Sequence, residues 1–234
     1  MTYTKRLDGR EMDQCREMEA KAGVIGRADG SAMFRTGKTI AYAAVYGPRN
    51  LFPRFLQNPE KGILRVNYNM MPFSSKGERV RPGGSRRSKE IAFVTKNALL
   101  PALDLSEFPN SVVDVFIELP QTDAGTRCAG INAAAIALAD AGIPMKDFVA
   151  SVSVGKVDGT VVLDLTYDEE AYDGPVADIP IAMLTRSGEV TLLQMDGEVN
   201  KEDMKKILQL GQKGINDIHK LQVKVLKEKY QSGE

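Results

Sequence analysis

Residues 121–127, Gln-Thr-Asp-Ala-Gly-Thr-Arg, have the residue types of a helix start that binds an anion. Asp123 is a common helix-capping type, and Gly125 lets a ligand approach the backbone closely. The first amides of a helix have no partner within it, and with the helix dipole they attract negative charge. Thr126 adds a hydroxyl donor and Arg127 a planar cation suited to phosphate oxygens. The segment predicts a phosphate site; the alternative is an ordinary capped helix with a surface arginine.

A second basic segment precedes another predicted helix. Residues 84–87, Gly-Ser-Arg-Arg, close an irregular loop over 74–88, and helical spacing follows over 89–100. Arg86 and Arg87 could supply a second cationic clamp if the two helix starts converge in space. If they do not converge, both side chains belong to a solvated loop.

The third candidate region is an acidic segment over residues 163–178. Asp178 differs from the others because it begins an apolar stretch, 178–184, with the pattern of a buried strand. A carboxylate at a strand end beside an anion site can bind magnesium or protonate a leaving oxygen. Most acidic loop residues are solvated turns instead. The segment has six carboxylates: Asp164, Asp168, Glu169, Glu170, Asp173 and Asp178.

Several other kinds of site are excluded by residue type. The single histidine, His219, lies in a predicted helix, and Cys15 and Cys128 are far apart, so Ser-His, Cys-His and zinc-type chemistry are not expected. Residues 36–39, Thr-Gly-Lys-Thr, resemble the end of a P-loop. The first glycine of that motif is replaced by Ala32, however, and a strand follows in place of a helix.

The composition is that of an ordinary globular protein. The 234 residues are 43% hydrophobic and 26% charged, and 31 basic residues balance 31 acidic ones. A polyanionic partner would therefore have to be held by locally concentrated charge. No apolar run is long enough to span a membrane, and the polar N-terminus lacks the apolar core of a signal peptide. These features predict a cytoplasmic protein with no membrane partner.

The order of the predicted elements indicates an α+β fold with mixed or antiparallel sheets. Both halves of the chain, about 1–105 and 106–234, run from strands into a helix, which indicates duplicated strand-helix units within one domain over 1–234. Gly47-Pro48 is expected to end the third strand. The predicted strands are 24–28, 30–35, 39–46, 63–70, 111–119, 150–154, 160–165, 178–184 and 190–196, and the helices are 89–100, 124–141 and 204–229.

Short motifs along nearly the whole chain resemble the RNase PH family of phosphorolytic 3′-to-5′ exoribonucleases, and within it the catalytic RNase PH-type subunits of archaeal exosomes. Each motif is weak by itself, and their order and spacing carry the resemblance. The motifs are residues 6–10 (Arg-Leu-Asp-Gly-Arg), 28–31, 43–48, 71–74, 139–145, 154–159, 177–180 and 213–216.

The resemblance implies a fold and a reaction. The fold is RNase PH-like, with mixed sheets and packed helices. Inorganic phosphate, held at Gly125, Thr126 and Arg127 and by Arg87, would attack the 3′-terminal phosphodiester of RNA and release a nucleoside 5′-diphosphate. The reverse reaction would add a tail to RNA. Asp178 matches a family aspartate that serves as metal ligand, for Mg²⁺ or Mn²⁺, or as general acid.

The second acidic position departs from the family pattern. Family members usually carry Glu-Asp six residues before the strand aspartate, whereas here Glu170 lies eight residues before Asp178. Matching the strand upstream assigns Glu170 to the second catalytic and metal-binding position, with two extra residues in the loop. Glu169 and Asp173 are the alternatives.

The resemblance also implies partners. These are single-stranded RNA, a homologous non-catalytic subunit in a hexameric ring of three heterodimers, and RNA-binding cap proteins. Lys61 would lie at a basic constriction of the pore, and Tyr68 and Arg86 would contact RNA near its 3′ end. A solvated lysine and a core tyrosine are the alternatives. A catalytically inactive, RNA-binding scaffold subunit of the same ring is the rival function.

Overall fold

Two β-sheets pack on opposite sides of a buried helix in the computed structural model. The structure describes residues 3–76 and 80–231; residues 77–79, within the irregular loop predicted over 74–88, lie outside the described residues. The architecture is α+β with one mixed and one antiparallel sheet, as predicted. Among the described residues, no helix is long and apolar enough to cross a membrane.

The first sheet has five strands in the order β1-β2-β3-β5-β4. Neighbours are antiparallel except β4 and β5, which run parallel because helix α1, Arg86–Leu99, crosses between them. The strands are β1 Met18–Ala22, β2 Gly30–Thr36, β3 Thr39–Asn50, β4 Ile63–Met70 and β5 Ser111–Gln121.

The second sheet is antiparallel, with four strands in the order β7-β6-β8-β9. Along the chain, the short helix α3, Tyr167–Glu170, follows β7 and precedes β8. The strands are β6 Val149–Val157, β7 Thr160–Leu163, β8 Val176–Leu184 and β9 Val190–Leu193.

Helix α2, Thr126–Asp140, lies between the sheets. It packs against β2 and β3 on one side and β6 on the other. Of its 15 residues, only Arg127 and Ala139 are not buried, which explains its run of alanines. Gly130 illustrates the close approach, since a Cβ there would lie 3.2 Å from Ile117 Cγ2.

The long C-terminal helix α4, Lys201–Gln231, packs against β6. It extends a few residues beyond the predicted span of 204–229 at both ends. Its apolar stripe and α2 join both sheets into one continuous core. The change from the first sheet to the second falls between β5 and β6, later than the predicted boundary near residue 105, because β5 pairs with β3 and β4.

Two strand predictions are wrong. Residues 24–28 are irregular and end in a turn, and the strand that pairs with β2 is β1, six residues earlier, where Ala20 is buried between half-buried Glu19 and exposed Lys21. Gly47-Pro48 does not end β3. The strand continues to Asn50. Its register with β5 shifts between Tyr46 and Arg49, and this bulge leaves Pro48, which has no backbone N–H to donate, outside the paired positions.

Candidate active site

A cleft of about 700 Å³ lies where the starts of α1 and α2 meet the second sheet. The two basic helix starts therefore converge, which is the condition for a joint anion clamp. All six residues predicted to bind phosphate or act as acids line the cleft, and so does one predicted RNA contact. They are Arg87, Gly125, Thr126, Arg127, Glu170, Asp178 and Tyr68.

The turn before α2 has an unusual backbone conformation. Ala124 and Gly125 both have positive φ, 58° and 61°, and Gly125 is the N-cap of the helix. Among the described residues no side chain caps α2, so the prediction that Asp123 caps it is wrong. The Asp123 carboxylate instead accepts from the Tyr167 amide at 3.3 Å. The first-turn amides consequently stay available for an external anion.

A buried ion pair contacts this turn on the side of the protein interior. Arg16 Nη2 lies 2.6 Å from Asp164 Oδ1, and both side chains are almost wholly buried. Arg16 also donates to the carbonyl oxygen of Asp123. A Cβ at Gly125 would lie 3.1 Å from Arg16 Nη2, so the close packing and the positive φ together favour glycine there.

Substituting Gly125 with alanine should destabilise the turn by about 1–3 kcal/mol, because alanine is strained at positive φ. It should also displace Arg16 and weaken phosphate binding. Denaturant unfolding and the phosphate dependence of activity measure the two effects. Gly142→Ala is a matched control: Gly142 follows the other end of α2 with φ +71° and no atom within 4 Å of its added Cβ. Equal changes in phosphate dependence for both variants would contradict this role of the turn.

Asp178 lines the same cleft from β8. Its Oδ1 accepts from the Ser153 hydroxyl of the neighbouring strand β6. Burial raises the pKa of the Asp178 carboxyl above its usual value, and the hydrogen bond from Ser153 and the charge of Arg127 oppose this rise. Asp196 also raises the pKa; its backbone pairs with that of Asp178.

Glu170 is half-buried at the end of α3 and also lines the cleft. Burial, with the nearby charge of Asp178, raises the pKa of Glu170 to about 7, and Arg16 and Arg87 oppose the rise. Two carboxyls with raised pKa values beside a cationic turn are typical of a functional site.

The other two candidates for the second acid lie elsewhere. Glu169 has a fully buried side chain, paired with Arg6 at 2.7 Å. Burial raises the pKa of Glu169, but the bonds from Arg6 and Tyr3 outweigh it and bring the pKa to about 2. Asp173 is exposed and does not line the cleft. Of the three candidates, only Glu170 shares a cavity with Asp178.

A polar bridge connects the two helix starts. Arg127 Nη1 donates to Gln194 Oε1, and Gln194 Nε2 donates to Glu90 Oε1 on α1 at 3.0 Å. The bridge orients Arg127 along the cleft. Neither Gln194 nor Ser153 was identified from the sequence, because an uncharged residue in a strand or loop has no local signal of this kind.

The predicted RNA contacts separate into two groups. Tyr68 on β4 is 5% exposed and lines the cleft, and within the described residues its hydroxyl makes no well-formed hydrogen bond, although the Thr126 side chain is near enough to lower its pKa. Burial raises the pKa of Tyr68 to about 12, so the hydroxyl stays protonated and can donate. Lys61 and Arg86 are exposed and do not line the cleft.

The donor set can hold a magnesium ion only with help from a substrate. No group of three or more His, Cys, Asp or Glu side chains within residues 3–76 and 80–231 could hold a metal. Glu170 and Asp178 supply two carboxylates. Magnesium commonly uses one or two protein carboxylates and completes its shell with phosphate oxygens and water, so these residues fit it.

Comparison with known proteins identifies the class. The model of the 3′ exoribonuclease family, domain 1, matches residues 14–144, and that of domain 2 matches residues 147–214. The chain therefore belongs to the 3′ exoribonuclease family, the RNase PH family, as its motifs predicted.

Two individual relatives are similar to this chain over nearly its full length. "Exosome complex component Rrp41" of Methanopyrus kandleri is 50% identical over 225 residues, covering 96% of this chain and 93% of the relative. The Pyrococcus furiosus protein of the same name is 50% identical over 226 residues, covering 97% and 89%.

Two solved structures share the fold. A crystal structure of rice (Oryza sativa) Rrp46 superposes with a TM-score of 0.81 at 27% identity, covering 93% of this chain and 98% of that one. A structure titled "archaeoglobus fulgidus exosome with RNA bound to the active site" superposes with a TM-score of 0.79 at 23% identity, covering 93% and 92%. The predicted RNase PH-like fold is confirmed.

Proposed function

We propose that this protein is the catalytic RNase PH-type subunit of an exosome ring and degrades RNA from its 3′ end by phosphorolysis. One observation carries the proposal: an anion-binding helix start, two arginines and two carboxylates line a single cleft. The names of its 50%-identical relatives, exosome complex components, support the assignment to a ring.

The cleft is suited to bringing two anions together. Inorganic phosphate binds the first-turn amides of α2, the Thr126 hydroxyl and the cations of Arg87 and Arg127. These groups neutralise charge on the attacking phosphate and on the terminal phosphodiester, whose mutual repulsion otherwise opposes the reaction.

The covalent step exchanges one P–O bond for another. A phosphate oxygen attacks the phosphorus of the 3′-terminal nucleotide, and the bond from that phosphorus to the penultimate O3′ breaks. The terminal nucleotide leaves as a nucleoside 5′-diphosphate, and the O3′ takes a proton. Asp178, whose pKa is raised by burial, is the group placed to deliver that proton. In reverse, nucleoside diphosphates extend the 3′ end.

In its alternative role, ionised Asp178 would join Glu170 in holding Mg²⁺ or Mn²⁺, which when bound supplies further charge neutralisation at the phosphates, and the proton for the O3′ would then come from water. Burial is the main cause of the raised pKa of Glu170, and the smaller contribution, repulsion between its charge and that of Asp178, is one that a cation would relieve.

The assembly is also part of the proposal. The chain would alternate with a homologous non-catalytic subunit in a six-membered ring, with RNA-binding cap proteins on one face, in the cytoplasm. Lys61 and Arg86, both exposed and outside the cleft, would meet single-stranded RNA on its way to the cleft. Tyr68 would donate a hydrogen bond within it.

The rival function is a catalytically inactive scaffold that binds RNA. It is motivated by glutamate at the second acidic position. A scaffold has no need of a strained glycine turn, two arginines and two carboxyls in one cavity, so the site favours the enzyme.

The reaction class is tested with the reconstituted ring, a single-stranded RNA and variable phosphate. We expect degradation to require phosphate and Mg²⁺ and to yield nucleoside diphosphates, because the helix start binds phosphate as the nucleophile. Chromatography of the products gives the result. Nucleoside monophosphates as the main product would contradict phosphorolysis, and no degradation under any condition would favour the scaffold.

A further inference from the structure

The N-terminal arm, residues 3–16, forms a buried polar junction with the segment that carries the second acid. Arg6 Nε donates to Glu169 Oε1 at 2.8 Å and Arg6 Nη2 to Glu169 Oε2 at 2.7 Å. Tyr3 donates its hydroxyl to the same carboxylate at 2.7 Å. Neither side chain of the Arg6–Glu169 pair has any exposed surface.

Arg6 also holds the backbone that leads into α3. Its Nη1 donates to the Leu163 carbonyl at 2.7 Å and its Nη2 to the Asp164 carbonyl at 2.9 Å. The arm therefore binds the backbone just before α3, at Leu163 and Asp164, and the Glu169 side chain within it.

Helix α3 needs such support because it is only four residues long. One turn of helix is unstable without tertiary contacts. A capping box between Thr166 and Glu169 closes its first turn. The Glu169 carboxylate therefore accepts hydrogen bonds both from the Thr166 amide and from Arg6. Successive helical residues point about 100° apart. When Glu169 is fixed inward against the arm, Glu170 is turned into the cleft.

We propose that the buried Arg6–Glu169 pair positions Glu170, so that the N-terminal arm places the second carboxyl opposite Asp178. A buried ion pair is weak evidence for stability, because desolvation offsets its attraction. The role that accounts for this buried pair is the orientation of α3. The consequence for activity rests on the proposed function, whereas the orientation of α3 does not.

The test replaces both members together, as Arg6→Met with Glu169→Met, which leaves no uncompensated buried charge. We expect hydrogen exchange across residues 166–172 to become about ten-fold faster or more as α3 opens. In the assembled ring, kcat should fall about ten-fold or more while KM for phosphate changes less than about two-fold. Phosphate is bound by other elements, so this split distinguishes positioning from general loosening.

A matched control is Lys156→Met with Asp203→Asn, which removes an ion pair of 2.6 Å outside the cleft. It should leave exchange over 166–172 and kcat unchanged. Arg6→Met with Glu169→Gln is the second variant, since glutamine keeps the volume and the cap and no buried charge is left unpaired, and it should show the same changes to a smaller degree. Unchanged exchange over 166–172 in both double variants of the Arg6–Glu169 pair would overturn the proposal. Failure of the wild-type ring to release nucleoside diphosphates would instead refute the proposed function, because the exchange experiment does not depend on the reaction.

Discussion

Replacing Asp178 with asparagine in the assembled ring should lower the rate of nucleoside diphosphate release by about a hundred-fold or more. Asparagine has nearly the same shape and can still pair with Ser153, so the strand and the fold should persist. It has no proton to deliver to the O3′ and no charge for a cation. The loss should therefore appear in kcat, with little change in KM for phosphate.

Asp173→Asn is the matched control, because Asp173 is an exposed aspartate in the same loop and does not line the cleft. It should behave like the wild type. Both variants are compared by single-turnover assays and by thermal unfolding. Wild-type rates in folded Asp178→Asn would favour the scaffold over the enzyme.

Replacing Arg127 with methionine should raise KM for phosphate by about 10- to 100-fold, as loss of charge-assisted hydrogen bonds costs about 1.5–3 kcal/mol. Methionine retains much of the side-chain length but neither the charge nor the bond to Gln194. Part of the activity should return at high phosphate concentration. Initial rates across a phosphate series measure the effect.

Arg186→Met is the control for loss of one arginine, since Arg186 is largely exposed and does not line the cleft. Its phosphate dependence should match the wild type. If Arg127→Met and the wild type share one KM for phosphate, the helix start of α2 is not the phosphate site.

The parts of the site that could be predicted from sequence are those with local signals. Residues 121–127 combine a strand end, a glycine and a Thr-Arg pair within seven positions, and Asp178 opens an apolar run. The pattern of β5 and the alanines of α2 predicted the elements that carry them. The motif order then related these pieces to one family and gave Arg87 a role that loop composition alone left open.

The supports of the site depend on residues distant in sequence. Arg16 and Asp164 are 148 positions apart, and Arg6 and Glu169 are 163 apart. No periodicity or spacing relates such pairs. Asp123 was predicted as a cap from its type, but two consecutive residues of positive φ turn the chain so that its carboxylate meets Tyr167 instead. Matching the strand upstream assigned Glu170 to the second acidic position, but the contact that turns Glu169 away from the cleft, its pair with Arg6, has no signal in the sequence.

The central claim is that phosphate bound at Gly125, Thr126 and Arg127 is the nucleophile, and labelled phosphate tests it most directly. The reconstituted ring is supplied with RNA and ¹⁸O-phosphate in unlabelled water, and the masses of the released nucleotides are measured by mass spectrometry. Phosphorolysis predicts nucleoside diphosphates with the label in the β-phosphate, and loss of that product in Arg127→Met at low phosphate. Unlabelled nucleoside monophosphates would contradict the account, since water would then be the attacking group.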